Sequence, residues 1–267
     1  MNQHNLSHIH ENAQIADNVI IDPFVHIHGD VVIQEGTWIG SHATIMDGTR
    51  IGRNCKIFPG AVVGAIPQDL KYKGENTYLE IGDNVIIREY CTVNRGTDSS
   101  GKTLIKDNAL LMAYVHIAHD CVIGENCILA NNVNLAGHIE IGDYSILGGL
   151  TAVHQFVKIG AHVMVGGGSL VRKDIPPFVK AAREPISYAG VNSIGLRRRG
   201  FSEAEVHEIQ CIYRLMFVEG YNVTQAVAKI YNDFESTPIR NEIIDFVQGS
   251  TRGIMKGFRH LNGYKSK

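Results

Sequence analysis

The sequence predicts an all-β solenoid, a parallel β-helix of hexapeptide repeats shaped as a triangular prism, followed by a small C-terminal α-helical domain. Three observations carry that prediction. Aliphatic residues recur at every sixth position over most of the chain, glycine often follows them directly, and beyond Phe201 the period changes to that of a helix.

The ladder starts at Ile9 and steps through Ile15, Ile21, Ile27, Ile33, Ile39, Ile45, Ile51 and Ile57 to Val63. It resumes at Ile81, Ile87 and Val93, and again from Ile105 through Ile117, Leu135 and Val153 to Val171. Of its 28 positions 25 are Ile, Leu or Val, the others being Asp69, Glu75 and Ser99. A period of six matches neither the turn of an α-helix nor plain strand alternation. It suits a chain that makes a short strand with one inward aliphatic side chain, turns a corner and repeats. Three such strands close one triangular coil. Twenty-eight steps then give about nine coils, a prism ~45 Å long at the usual strand spacing. Gly40, Gly52, Gly64, Gly82, Gly124, Gly142 and Gly160 each follow a ladder residue and are expected to serve corners with unusual dihedrals. Asn and Asp in "GDN", "GEN" and "GDY" fit the same turn chemistry.

The breaks at 65–77 and 95–103 leave the phase intact, which predicts loops extruded from a prism spanning 1–190. Such loops on rigid scaffolds often carry function. The ladder ends before Pro176 and Pro177. Ser202 with Glu205 then forms a capping box, with Val206, Ile209, Ile212 and Met216 at helical spacing. "YNVTQAVAKIYNDF" reads as a second helix, and "TPIRNEIIDFVQ" as a third with Thr237 as N-cap and Pro238 in the first turn. This helical domain, 191–267, is expected to cover one end of the solenoid.

Composition narrows the function. A net charge of −2 over 267 residues does not suit a general nucleic-acid binder. No apolar run reaches a membrane span, and the polar N-terminus lacks a secretory core. Five cysteines in no zinc-like spacing suggest reduced thiols in a cytoplasmic protein.

Phase within the coil also places the histidines. His119, His138 and His154 follow ladder residues Ile117, Leu135 and Val153 on consecutive coils, so they stack at one corner, and His116 adjoins the same edge. Three readings stay open: solvated turn residues, ligands of a zinc ion, or a catalytic base. Asp120 could orient an imidazole or simply occupy a turn.

"IAHDC", "CILANN", "LAGH", "GGLTAVHQF", "IGAHVMVGGGS", "GVNSIGLRRRGFS" and "QDLKY" together resemble, in order and over nearly the whole chain, the UDP-N-acetylglucosamine O-acyltransferase family that begins lipid A synthesis. The resemblance implies a left-handed prism, against the usual crossover rule. It implies a cytoplasmic homotrimer with active sites in clefts between prisms. The implied reaction moves an (R)-3-hydroxyacyl chain from acyl carrier protein to the 3-hydroxyl of UDP-N-acetylglucosamine, with no metal or other cofactor. His119 matches the family's base, Asp120 its partner, and Gly137 an oxyanion donor. Asp69, Lys71, His138 and Gln155 match contacts to the nucleotide sugar, with His116 and His154 beside them. Asn192, Arg198 and Arg199 match the grip on the uridine diphosphate. Gly167 matches the position that limits acyl length, and glycine there implies a long chain. Asn94 stands where relatives often have histidine, and Ile194 where others carry glutamate. Arg172, Lys173, Lys180 and Arg183 are expected to attract the acidic carrier protein.

The rivals are the N-acyltransferase later in the same pathway, an acetyl-CoA-dependent acetyltransferase, a zinc enzyme of carbonic anhydrase type, and a non-catalytic solenoid. A ladder that begins at Ile9 is expected to leave no room for the separate N-terminal domain of the first rival.

Overall fold

A computed structural model describes residues 2, 3 and 5–257; the last ten residues of the expected helical domain lie outside the described residues. The chain winds as a left-handed parallel β-helix. Each aliphatic residue of the ladder sits in its own short strand, from His8–Ile9 to Leu170–Val171. Asp69, Glu75 and Ser99 fall in the two extruded loops, so the prism has fewer coils than a count of every sixth position implies.

Three parallel sheets form the faces, with inward residues in register from coil to coil. On the first face Val93 pairs with Ile117, Ile117 with Leu135, and Leu135 with Val153. The second face holds eight strands, including Glu140–Ile141 and Lys158–Ile159. The third runs from Asn2–Gln3 through Met164–Val165. Almost every inward side chain is fully buried, which is the hydrophobic gain that holds the column together.

The corners correct the glycine reading. Of the seven glycines named above only Gly64 has a positive φ. The left-handed conformation falls two residues later, on Asn54, Asn84, Asn108 and Asn126 and then on Tyr144, His162 and Phe178. Asparagine tolerates that region best, and the aromatic residues stack upon one another, Tyr144 on His162 at 5.0 Å and His162 on Phe178 at 5.7 Å. The glycines are needed for space instead. A Cβ on Gly142 would stand 2.4 Å from the backbone nitrogen of Ala161 in the next coil, and one on Gly160 2.5 Å from that of Pro177.

The end of the prism is closed by the tail. Val179–Ala182 extends the third face, pairs antiparallel with Ser187–Val191, and that strand takes Lys256–Gly257 as a further neighbour. A six-residue helix, α1 (Ser193–Arg198), follows and was not foreseen from the periodicity. Helices α2 (Glu203–Phe217), α3 (Val223–Asp233) and α4 (Pro238–Gln248) match the three expected ones. Their starts follow from capping chemistry: Ser202 with Glu205 and Asn222 with Gln225 form capping boxes, and Thr237 accepts from the Arg240 N–H. Tyr213, fully buried in α2, donates its hydroxyl to the Pro177 carbonyl at 2.7 Å and ties the helices to the prism.

Candidate active site

Both extruded loops leave the prism at one corner. The strand Val62–Ala65 and the strand Thr92–Asn94 belong to the first face, and the strands that follow the loops, Tyr78–Ile81 and Lys102–Ile105, to the second. His119, Gly137, His138, His154 and Gln155 occupy that same corner on later coils.

The centre of the site is a buried pair. The Nδ1 of His119 lies 2.7 Å from Oδ2 of Asp120, and both residues are less than a tenth exposed. Asp120 sits at a positive φ and its N–H donates to the buried Thr103 hydroxyl. Its carboxylate also accepts from the Thr97 N–H at 2.9 Å, the Thr97 hydroxyl at 2.7 Å and the Ser100 hydroxyl. Burial alone would raise this carboxyl; the hydrogen bonds from Ser100, Thr97 and His119 outweigh it and hold the group at about 2. The carboxylate is therefore ionised at neutral pH and can only accept. Such an acceptor selects, for the neutral form of the His119 ring, the tautomer with its proton on Nδ1 and a lone pair on Nε2.

The ring of His119 lies over Gly137, which is buried and whose N–H donates to no group among the described residues. His138, also at a positive φ, meets the His119 ring edge-on at 5.1 Å and stacks on Phe156 at 4.5 Å. Its Nε2 is 3.6 Å from Asp120. Burial lowers the pKa of His138, with Asp120 acting against that shift. In front of these residues is a cavity of about 420 Å³ lined by Asp69, Lys71, Thr97, Asp98, His138 and Gln155 among others.

The remaining expected residues are dispersed over a single chain. His154 is exposed and its Nδ1 approaches the Gln155 carbonyl at 3.1 Å. His116 lies on the flat of the first face, where its Nδ1 meets the Thr92 hydroxyl at 2.7 Å and burial lowers its pKa. Asn192, Arg198 and Arg199 line a separate cavity of about 460 Å³ with Ile146, Met164, Lys180 and Ile194, on the third face. Gly167 is at the remaining corner, exposed, beside Gly149 of the preceding coil. Arg172, Lys173 and Arg183 line a third cavity, at the end of the prism. Asn94 is buried and donates to the Ile66 carbonyl at 3.1 Å, at the root of the first loop.

Thr97 and Ser100 were not singled out from the sequence, yet a signal existed. Val63 and Val93 precede the two ladder breaks and share a column with Ile117, so both loops had to emerge beside His119. The donor atoms of His119, Asp120 and His138 also lie within 4.8 Å of one another, a set able to hold a cation. The carboxylate oxygens are already engaged by Thr97, Ser100 and His119, which disfavours them as ligands.

Comparison with known proteins shows the family. A family model described as UDP-N-acetylglucosamine O-acyltransferase, domain 2, matches residues 174–255, and one for the bacterial transferase hexapeptide matches 30–65 and 102–137. An acyl-[acyl-carrier-protein]–UDP-N-acetylglucosamine O-acyltransferase of Trichlorobacter lovleyi is 45% identical over 261 residues, covering 96% of this chain and 100% of the relative. The chain belongs to this acyltransferase family. The relative from Thermodesulfovibrio yellowstonii, with the same enzyme name, is 41% identical over 95% of this chain and 98% of its own. Solved acyltransferases of the family from Bacteroides fragilis and Acinetobacter baumannii superpose with a TM-score of 0.92 at 46% and 43% identity, covering 95% of this chain and 99% of each.

Proposed function

We propose that this protein transfers an (R)-3-hydroxyacyl group from acyl carrier protein to the 3-hydroxyl of UDP-N-acetylglucosamine, with His119 as general base. The observation that carries the mechanism is the buried His119–Asp120 pair, with Nε2 left as the acceptor. Nε2 takes the proton of the sugar hydroxyl as its oxygen attacks the thioester carbonyl. The oxyanion of the tetrahedral intermediate is stabilised by the Gly137 N–H. Collapse breaks the C–S bond, and the departing thiolate receives the proton from His119. Asp120 keeps its charge throughout and stabilises the imidazolium. Asp69, Lys71, His138 and Gln155 hold the sugar, with His154 at the same corner and His116 on the adjoining flat of the first face.

Asn192, Arg198 and Arg199 grip the diphosphate through guanidinium groups. They stand on another face, so we assign the complete site to two copies of the chain in a homotrimer. The outer surfaces support this reading. The second face is laced with ion pairs such as Lys102–Glu80 and Lys158–Glu140. The third face and its corner with the first instead expose Ile20, Met164, Tyr90, Tyr114 and Leu150, an apolar patch that calls for a partner. The unpaired cysteines fit a cytoplasmic enzyme, and no described helix is long and apolar enough to cross a membrane.

The test is incubation of the purified protein with 3-hydroxyacyl carrier proteins of several lengths and UDP-N-acetylglucosamine. A 3-O-acylated sugar nucleotide is expected, best from a long-chain donor given the open corner at Gly167. His119→Ala should abolish it while circular dichroism stays unchanged, and chelation should leave it intact. No product from any carrier-bound donor would sink the reading.

A further inference from the structure

The loop at 95–101 is surplus to the solenoid. Ile81 pairs with Ile105 across the second face just as Ile105 pairs with Ile123, yet six more residues of chain separate the first pair. These additional residues bring no side chain into the hydrophobic core. They bring donors to Asp120. The Thr97 N–H reaches Oδ1 and the Thr97 hydroxyl Oδ2, so the carboxylate is held at both oxygens and cannot turn. The Ser100 hydroxyl adds a second donor to Oδ1, although the Lys102 carbonyl is also within its reach at 3.0 Å.

That clamp has a choice to enforce. Oδ2 is 2.7 Å from Nδ1 of His119 and 3.6 Å from Nε2 of His138, so a modest rotation would exchange one imidazole for the other. Among the described residues the titratable groups facing Asp120 are these two histidines and the buried Cys121 thiol, with Asp69 beyond His138. The other side of the same loop, through Thr97, Asp98 and Ser99, lines the cavity with Asp69 and Lys71. One segment therefore lines the cavity on one side and holds the carboxylate behind the base on the other.

We propose that Thr97, assisted by Ser100, is the positioning residue of this acyltransferase: it aims Asp120 at His119 rather than His138. The inference rests on the reaction proposed above. Thr97→Val keeps the shape and the N–H but removes the hydroxyl, and Ser100→Ala removes the second donor. In the double variant kcat should fall about tenfold or more, because the base is no longer held in its working geometry. KM for the sugar nucleotide should stay within about twofold, since the hydroxyl removed from Thr97 is the one engaged on Asp120. The acid-side fall of kcat/KM should move to higher pH, because a carboxylate with fewer donors leaves more of its charge on the ring of the base and favours the imidazolium. Thr97→Ser should restore all three.

A readout that needs no turnover is the Nδ1–H resonance of His119, expected to shift in the double variant and to return with Thr97→Ser. An unmoved resonance with an unmoved acid limb would overturn the inference, as would a loss confined to KM or one that Thr97→Ser fails to rescue. Failure of the wild-type protein to transfer any acyl group would instead remove the proposed reaction, while the resonance would still judge the clamp.

Discussion

A Cβ placed on Gly137 would stand 2.6 Å from Cε1 and 2.8 Å from Nε2 of His119. The backbone of Gly137 has an ordinary negative φ, so the glycine is required by the imidazole that lies on it and not by its own conformation. Gly137→Ala is therefore expected to push the ring off its line with Asp120. A loss in kcat on the order of 10²-fold should follow, the size of a displaced base. Thermal unfolding should change little, because the added Cβ meets the far end of a side chain and not backbone. A Gly137→Ala enzyme with wild-type kcat would show that the ring has another working position.

Subunit mixing tests the division of the site. On the proposed reading His119→Ala removes the base, and Arg198→Ala with Arg199→Ala removes the diphosphate grip, so each variant assembled alone is expected to be nearly inactive. Co-refolding the two inactive proteins should restore measurable transfer, since some clefts would combine an intact base from one copy with an intact grip from another. Absence of any recovery, with mixed trimers demonstrated by mass, would place both halves in one chain.

His162 should make stability depend on pH. It is stacked between Tyr144 and Phe178, its Nδ1 is buried without a partner, and burial followed by the charge of Arg199 holds it at about 4. The unfolded chain binds a proton at this residue between about pH 6.5 and 4, where the folded protein does not. The contribution is thus complete above pH 6.5 and is lost as pH falls toward 4. Its full size is on the order of 3 kcal/mol. His162→Phe fits the aromatic column, and the position equivalent to it one coil later is already Phe178. The variant should flatten that part of the curve of melting temperature against pH, and an unchanged slope would contradict the assignment.

The corner glycines give a stability contrast. Gly142→Ala presses a methyl group onto the Ala161 backbone and should cost roughly 1–3 kcal/mol or more, as overpacking does. Asn126→Gly, at a φ of 56°, should be close to neutral because glycine accepts that conformation freely. Chemical denaturation of both variants would decide it. Equal losses would mean that conformation, not space, sets the residue choice after each ladder position.

The period of six was enough to name the architecture. One inward side chain per hexapeptide must be apolar if a narrow column is to bury it, so Ile9 to Val171 record the strands one by one. Capping residues at Ser202 and Thr237 marked helix starts for an equally local reason. Phase arithmetic even placed His119 and His138 at one corner, because equal phases stack in a regular solenoid. The short helix Ser193–Arg198 and the hairpin before it have no such periodicity, and their form depends on packing against the last coil.

Tertiary structure alone decided what surrounds Asp120. Its donors come from Thr97 and Ser100, more than a full coil earlier in the chain, and a loop that leaves a regular column carries no phase from which its direction could be computed. It also decided that the glycines serve close approach between coils, and that Arg198 and Arg199 face away from His119. Local sequence can specify repetition, since each repeat meets only its neighbours. Where irregular segments meet that column, contacts are set by chain closure in three dimensions.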